Sequence, residues 1–310
     1  YNARSNNGST GKHYSVKVGV GSGLTLNNNV YLANGAGGVL GSYNSIDRIN
    51  LTAWKVAIPQ DSNSYESNPQ FMTPSGSSTS VDLHINPFIS TFAEGNGFNI
   101  SSVTEDFDGQ TRNTLTPVDI GADAGNFTPL PKTLYMNVLI QGFYNSGSNA
   151  MNQGDTMRVY LRNNITPYAI VDSSIAVLSL SGTGSFNFSN ISNGVPYYIQ
   201  LKHRNSIETW SDSARSFTGN SLTYNFTTSI VKAYGNNLIQ VNSSPVRYGI
   251  YNGDVNQDET IDASDLSEVE NANSLSGYTN TDVTGDDFVD GSDVSIVENN
   301  VSASVIVIKP

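Results

Sequence analysis

Asp254-Val-Asn-Gln-Asp-Glu-Thr-Ile-Asp-Ala-Ser-Asp265 and Asp282-Val-Thr-Gly-Asp-Asp-Phe-Val-Asp-Gly-Ser-Asp293 are two copies of one twelve-residue pattern. Oxygen-bearing side chains occupy the first, third, fifth, ninth and twelfth positions of each copy. They are Asp254, Asn256, Asp258, Asp262 and Asp265 in the first, and Asp282, Thr284, Asp286, Asp290 and Asp293 in the second. The eighth position is apolar, Ile261 or Val289, and the seventh, Thr260 or Phe288, can offer its carbonyl. Periodic acids of this kind speak against a merely disordered acidic run, which has no need of register.

The alternation of hard oxygen donors is the ligand order of an EF-hand calcium loop, with Asp in place of the usual bidentate Glu at the twelfth position. Two calcium ions are expected. The sixth position, usually Gly for the sharp turn, is Glu259 in one copy and Asp287 in the other. Short helices are expected to follow at 264–272 and 292–300, and Ile261 and Val289 are placed to pack on each other.

Working outward, the charge follows the repeat. Of 27 Asp plus Glu in the 310-residue chain, thirteen lie between Gly253 and Asn300, where there is no Lys or Arg. The net charge of −12 is therefore local, and it argues against nucleic acid or an anionic membrane as partner. With no cysteine, disulfides, thiolate metal sites and Cys nucleophiles are excluded. No apolar run approaches the roughly 18 residues that span a bilayer. The chain opens at Tyr1 with neither Met nor a signal-peptide pattern, and is read as a processed or truncated fragment. Its Gly, Ser and Asn content suits an all-β extracellular protein.

A loop plus an exiting helix, twice, opening on Gly253-Asp-Val-Asn-Gln-Asp258, resembles a dockerin over 252–301. The resemblance implies a calcium-bound module that attaches secreted proteins to extracellular scaffolds through cohesins. Where cellulosomal dockerins carry basic residues on their recognition helices, this chain has Glu270-Asn271 and Glu298-Asn299. The terminal modules of Bacteroidota-type secreted proteins are therefore the nearer comparison.

Upstream, 128–251 reads as a β-sandwich of immunoglobulin or transthyretin type. Leu134, Met136, Val138 and Ile140 alternate, as do Tyr197, Ile199 and Leu201, with Gly- and Ser-rich turns between the runs. The polar stretch from Tyr198 to Trp210 has two readings, a sugar or partner site built on Trp210, or a sheet edge with a core Trp. His203 has no second His or Cys nearby and is not read as a metal ligand.

The first 127 residues alternate short apolar pieces (Tyr14 to Val20, Leu24 to Leu26, Val30 to Leu32) with Asn- and Gly-rich corners. They suggest the end of a right-handed parallel β-helix, whose coils bury apolar side chains against their neighbours. Leu51 to Ile58 is expected as a short helix capped by Asn50. Glu105-Asp-Phe-Asp-Gly-Gln-Thr-Arg112, followed by Pro117-Val-Asp-Ile-Gly-Ala-Asp123, resembles the closing segment of pectate-lyase-like β-helix proteins. Asp108, Arg112 and Asp119 are read as an ion-paired end cap. Asp47-Arg48 is the sole acid–base pair in the coil region, too little for a lyase site. Residues 302–310, with Val305-Ile-Val-Ile308, form a β-prone strand that either returns to its own module or pairs an open solenoid edge elsewhere.

Together these readings describe an extracellular or cell-surface, non-enzymatic, mainly β protein holding two calcium ions. Its expected partners are further copies of itself, in a fibre or surface layer, or an extracellular scaffold protein, with polysaccharide as a further candidate. The alternatives are a scaffold-anchored polysaccharide lyase or hydrolase fragment and a carbohydrate-binding adhesin. Asn-x-Ser/Thr triplets at Asn50, Asn126, Asn190 and Asn225, and the Asp-Thr/Ser-apolar triplets at Asp155 and Asp212, are candidate glycan acceptors of low specificity.

Overall fold

A computed structural model describes residues 1–2, 10–19, 23–115 and 118–310. Val20 and Pro117, which belong to two of the motifs above, lie outside the described residues. The chain is mainly β and divides into two compact units, Tyr1–Leu130 and Pro131–Pro310.

The first unit contains β1 (His13–Val18), β2 (Val30–Tyr31), β3 (Gly38–Tyr43), β4 (Ile46–Arg48), α1 (Leu51–Ala57), β5 (Tyr65–Glu66), β6 (Phe71–Thr73) and β7 (Asp82–Ile85). β1 pairs in parallel with β3, His13 opposite Gly38, and β2 pairs in parallel with β5, Val30 opposite Tyr65. Antiparallel pairs, β3 with β4 and β6 with β7, are interleaved with these. Helix α1 begins where the sequence places it, because the Asn50 side chain accepts a hydrogen bond from Ala53 N. It buries Trp54 against Tyr31, Leu40 and Ile58.

The end cap is built differently from the expected ion-paired cluster. Arg112 donates to the backbone carbonyl of Asp119 at 3.0 Å, while the buried Asp119 carboxylate accepts from Gly95 N and Gly125 N. Asp108 instead faces His84 Nε2 at 3.0 Å. The physical reason is burial: the Asp119 carboxylate is held by backbone N–H groups that need an acceptor, leaving Arg112 to the backbone carbonyls of Asp119 and Ala122. Asp47, read as a partner of Arg48, instead pairs with Lys12 Nζ at 2.5 Å and accepts from the Tyr14 hydroxyl at 3.0 Å.

The second unit opens with β8 (Lys132–Asn137), β9 (Tyr144–Asn145), β10 (Ala150–Met151), β11 (Thr156–Asn163), β12 (Ile170–Val177), β13 (Thr183–Phe188), β14 (Pro196–His203), β15 (Ser206–Trp210), β16 (Arg215–Ser216), β17 (Ser221–Asn225), β18 (Ile239–Ser243) and β19 (Val246–Gly249). One sheet runs β12-β11-β14-β15, with β16 also on β14; a second runs β13-β8-β17. Alternate residues of both, among them Leu134, Met136 and Phe186 on one and Val159, Leu161 and Ile199 on the other, share a single core.

The Tyr198–Trp210 stretch is not an exposed sugar platform built on Trp210; as in the other reading, it is a sheet edge with a buried Trp, β15 being the terminal strand of its sheet and Trp210 3% exposed. Every residue of β15 is buried, and Trp210 Nε1 donates to Glu208 Oε1 at 2.7 Å. The cause is the chain that follows the β strands. Ser206 bridges to Asn252, and Ile207 N donates to Tyr251 O at 2.9 Å, so the calcium-loop region covers this edge. Ile207 packs within that region's core rather than within the sheets' own.

Helices α2 (Ala263–Asn271) and α3 (Gly291–Ser302) complete the unit. Each starts one residue earlier than its pattern suggests, and α3 runs two residues further. Ile261 and Val289 are both buried in one cluster with Val255, Val283 and Val297. Their backbones, however, pair outward rather than with each other. Ile261 N donates to Val305 O and Val289 N to Leu275 O, each at 2.9 Å, so each loop binds the segment after the opposite helix. Residues 302–310 form a single bridge, Thr260 to Ile306, in place of the expected strand. Val305 is buried, Asn237 Nδ2 donates to Ile306 O at 3.0 Å, and Lys309 Nζ meets Glu259 at 2.6 Å.

Candidate metal centre

Both loops close by the same device. Asp262 and Asp290 are the N-caps of α2 and α3, and Asp265 and Asp293 complete reciprocal capping boxes. The twelfth-position carboxylate of each loop then reaches back to its start. Asp265 accepts from Val255 N at 2.8 Å and Asp262 N at 3.0 Å; Asp293 accepts from Val283 N at 2.7 Å and Asp290 N at 2.8 Å. The first-position carboxylates turn inward, Asp254 to Asp258 N at 3.1 Å and Asp282 to Gly285 N at 2.7 Å.

The fifth-position acids order the turn, Asp258 accepting from Thr260 N at 3.1 Å and Asp286 from Phe288 N at 3.0 Å. Asn256 and Thr284 lie beside them, contacting Asp258 and Asp282. All twelve sequence-derived residues thus sit in two like turns, although no three carboxylates of either loop already converge on one point. The missing glycine at the sixth position is overridden: Glu259 has φ +78° and Asp287 φ +66°, the left-handed conformation that Gly would adopt freely.

Asp254, Asp265, Asp282 and Asp293 are buried. Burial, with Asp265 and Asp258 nearby, pushes the Asp254 carboxyl up to about 7. Burial likewise raises Asp265 and Asp282. Buried acids crowded together in this way call for a compensating cation. The donors are all hard oxygens, carboxylate, amide, hydroxyl and carbonyl, which suits calcium. Asp254, Asn256, Asp258, Thr260, Asp262 and Asp265 would hold one ion. Asp282, Thr284, Asp286, Phe288, Asp290 and Asp293 would hold the other, with Thr260 and Phe288 acting through their carbonyls.

Two features escaped sequence reasoning. In the first unit, Asp106, Asp108 and Asp123 bring carboxylate oxygens within 4.8 Å of one another. Asp106 accepts from Asp108 N and Gln110 N and so orders its own turn, while Asp123 accepts from Ile85 N and ties the segment to β7. In the second unit, Gln141, Arg204, Asn205 and Asn252 contact the calcium-loop region, with Asn300 donating to Gln141 Oε1 at 2.7 Å. The polarity of the stretch from Gln200 to Glu208 was the only signal available.

The dockerin type I domain model matches residues 252–302, and those residues form a dockerin module. Dockerin type I domains bind calcium. No curated protein matches the chain. Among solved structures, a C-terminal interface mutant of a type II cohesin–X–dockerin complex from Acetivibrio cellulolyticus is 15% identical, with 55% of this chain and 94% of that chain covered, at a TM-score of 0.35. An N-terminal interface mutant of the same complex is 17% identical over the same shares, at a TM-score of 0.32. No helix among the described residues is long and apolar enough to cross a membrane.

Proposed function

We propose that the chain is an extracellular, calcium-stabilised structural component held on a cohesin-bearing scaffold through residues 252–302. The observation that carries this reading is the twin-loop register, with both capping boxes closed and four acids buried. Dockerin modules are typical of extracellular cellulosome components, and cohesins are their scaffold partners. The two-sheet region is read as an immunoglobulin- or transthyretin-like sandwich supporting the module. The parallel pairs β1–β3 and β2–β5 support reading the first unit as the end of a β-helix.

The chain's own role is read as structural rather than catalytic. Asp47 is engaged by Lys12 and Tyr14, Asp106 by its own turn, Asp108 by His84 and Asp123 by the Ile85 N–H. Head-to-tail assembly through the terminal segment finds less support, because Val305 and Val307 hydrogen-bond to the first loop.

Titration of the intact chain against purified cohesins of both types tests the proposal. Binding with Kd below about 1 µM in calcium, abolished by chelator, is expected. Absence of binding to every cohesin, together with calcium-dependent polymers in light scattering, would transfer the role to self-assembly.

A further inference from the structure

The turn joining β14 to β15 reaches into the calcium module at the point where both loops begin. Asn205 is fully buried. Its Nδ2 donates to the carbonyl of Asp282 at 2.7 Å, and its own carbonyl accepts from Gly253 N at 2.7 Å. Arg204 lies beside it with a side chain only 9% exposed. Nε is 2.8 Å from Asp155 Oδ2, one terminal nitrogen meets the carbonyl of Thr279, and the guanidinium stacks on the Tyr278 ring at 4.4 Å. The Tyr278 hydroxyl closes the group by donating to Asp155 Oδ1 at 2.8 Å.

The remaining nitrogen, Nη2, has no hydrogen-bond partner and lies 3.6 Å from Asp282 Oδ2. A buried, unpaired guanidinium nitrogen aimed at a carboxylate is an unfinished contact. It bears on the first residue of the second loop and on no residue of the first. In the first loop the corresponding carbonyl, that of Asp254, accepts from Gln257 Nε2 of its own loop at 2.6 Å; that nitrogen also reaches the Ser206 carbonyl of the turn at 3.4 Å, but no cation faces the Asp254 carboxylate, and the charges beside it are the acids Asp265 and Asp258. The repeat is therefore symmetric in sequence and asymmetric in its surroundings.

We propose that Arg204 and Asn205 are positioning residues for the second calcium loop, so that calcium at Asp282 and docking of the β14–β15 turn form one coupled equilibrium, to which the first loop is tied more weakly, through the Gln257–Ser206 contact and the Gly253–Asn205 bond that precedes it. Asn205 fixes the main chain of Asp282, and Arg204 draws Oδ2 to one side while Oδ1 stays turned to Gly285 N inside the loop. Because Asp155 shares the guanidinium, the charge that Arg204 presents to the loop is largely compensated. Coupling of this kind is reciprocal: whatever the turn contributes to calcium binding, calcium returns to the turn. The inference rests on the calcium reading of the loops.

Hydrogen–deuterium exchange of the intact chain, with calcium and with chelator, tests it. Calcium is expected to slow amide exchange in both loops and also, by at least about tenfold, in the peptide covering residues 199–210. Asp293→Ala should abolish the slowing in that peptide, whereas Asp265→Ala should leave most of it in place. Arg204→Gln and, separately, Asn205→Ala should keep calcium protection of the first loop while reducing the response of 199–210 to less than about twofold. Protected loops with an indifferent 199–210 peptide in the natural chain would overturn the inference while leaving the calcium reading intact. So would equal sensitivity of the peptide to Asp265→Ala and Asp293→Ala. No protection of either loop would overturn the calcium reading itself, and the inference with it.

Discussion

Gly142 and Val283 approach so closely that a methyl group on Gly142 would overlap the Val283 carbonyl oxygen and stand 3.0 Å from Ile296 Cδ1. Gly142 follows β8 in the two-sheet region, whereas Val283 is the second residue of the second calcium loop. Since one of the clashing atoms is backbone, it cannot swing aside. Gly142→Ala is expected to destabilise the second unit by about 1–3 kcal/mol. Calorimetry of the intact chain in calcium checks it, and an unchanged transition would show that the loop can shift at no cost.

The second loop offers two substitutions of opposite sign at neighbouring turn positions. Asp287 sits at φ +66° with an exposed side chain, so Asp287→Gly relieves left-handed strain and is expected to stabilise by about 0.5 kcal/mol. Gly285 sits at φ +71°, and a Cβ there would lie 2.8 Å from the Phe143 ring. Gly285→Ala is therefore expected to cost about 2 kcal/mol or more. Thermal midpoints measured side by side in calcium should move in opposite directions.

These positions show which parts of the fold could be read from sequence. The calcium loops were legible because their ligand order is local and occurs twice, so register alone places Asp254 to Asp265 and Asp282 to Asp293. Helix α1 was legible for the same reason, with Asn50 as cap three residues before Ala53. The Arg204–Asn205 contact was not legible, because its partners lie in another module and polarity alone reads as a sugar or partner site or as a sheet edge. Val305-Ile-Val-Ile308 illustrates the converse. Its hydropathy is that of a strand, yet the first loop offers it only one bridge at Thr260. In the first unit, parallel and antiparallel pairs are mixed, and no consensus repeat distinguishes them in the sequence.

Acid should weaken the second unit in two stages. His203 is fully buried, with Nε2 3.2 Å from Asp155 Oδ2 and Nδ1 2.9 Å from Ser206 Oγ, and burial pushes its protonation below the ordinary histidine range. A base held neutral when folded contributes fully above its unfolded pKa of about 6.5, and that contribution declines as pH falls below it. For Asp155, burial alone would raise the carboxyl, but hydrogen bonds from His203, Arg204 and Tyr278 hold it well below the usual carboxylate range. Its share is present above about pH 3.9 and is lost on further acidification. Urea unfolding at saturating calcium between pH 8 and 5 should show falling stability, and His203→Gln should flatten the part of that slope near pH 6. An unchanged slope in the variant would assign the effect to other groups.

The first unit has its own buried acid, and its removal should be costly without touching calcium. Asp61 is 1% exposed and gathers four donors. Oδ2 accepts from Trp54 Nε1 at 2.7 Å and the Tyr31 hydroxyl at 3.2 Å; Oδ1 accepts from Asn29 Nδ2 at 2.9 Å and Ser64 Oγ at 2.6 Å. The carboxylate therefore ties α1 to β2 and to the segment before β5. Asp61→Asn keeps the shape and tolerates the residue's φ of +59°, but it turns one acceptor end into a donor facing donors. With hydrogen bonds to a charged group lost and buried donors left unpaired, about 2–4 kcal/mol of the first unit's stability should disappear. Asp61→Ala should cost at least as much, because it strips all four donors and places a β-carbon without polar compensation in the left-handed region. Urea unfolding followed by Trp54 fluorescence in a Trp210→Phe background reads the first unit alone, and calcium stoichiometry measured in parallel should be unchanged. A shift in that stoichiometry would mean that the first unit contributes to the calcium sites after all, whereas an Asn variant as stable as the natural chain would show that the four donors find water instead.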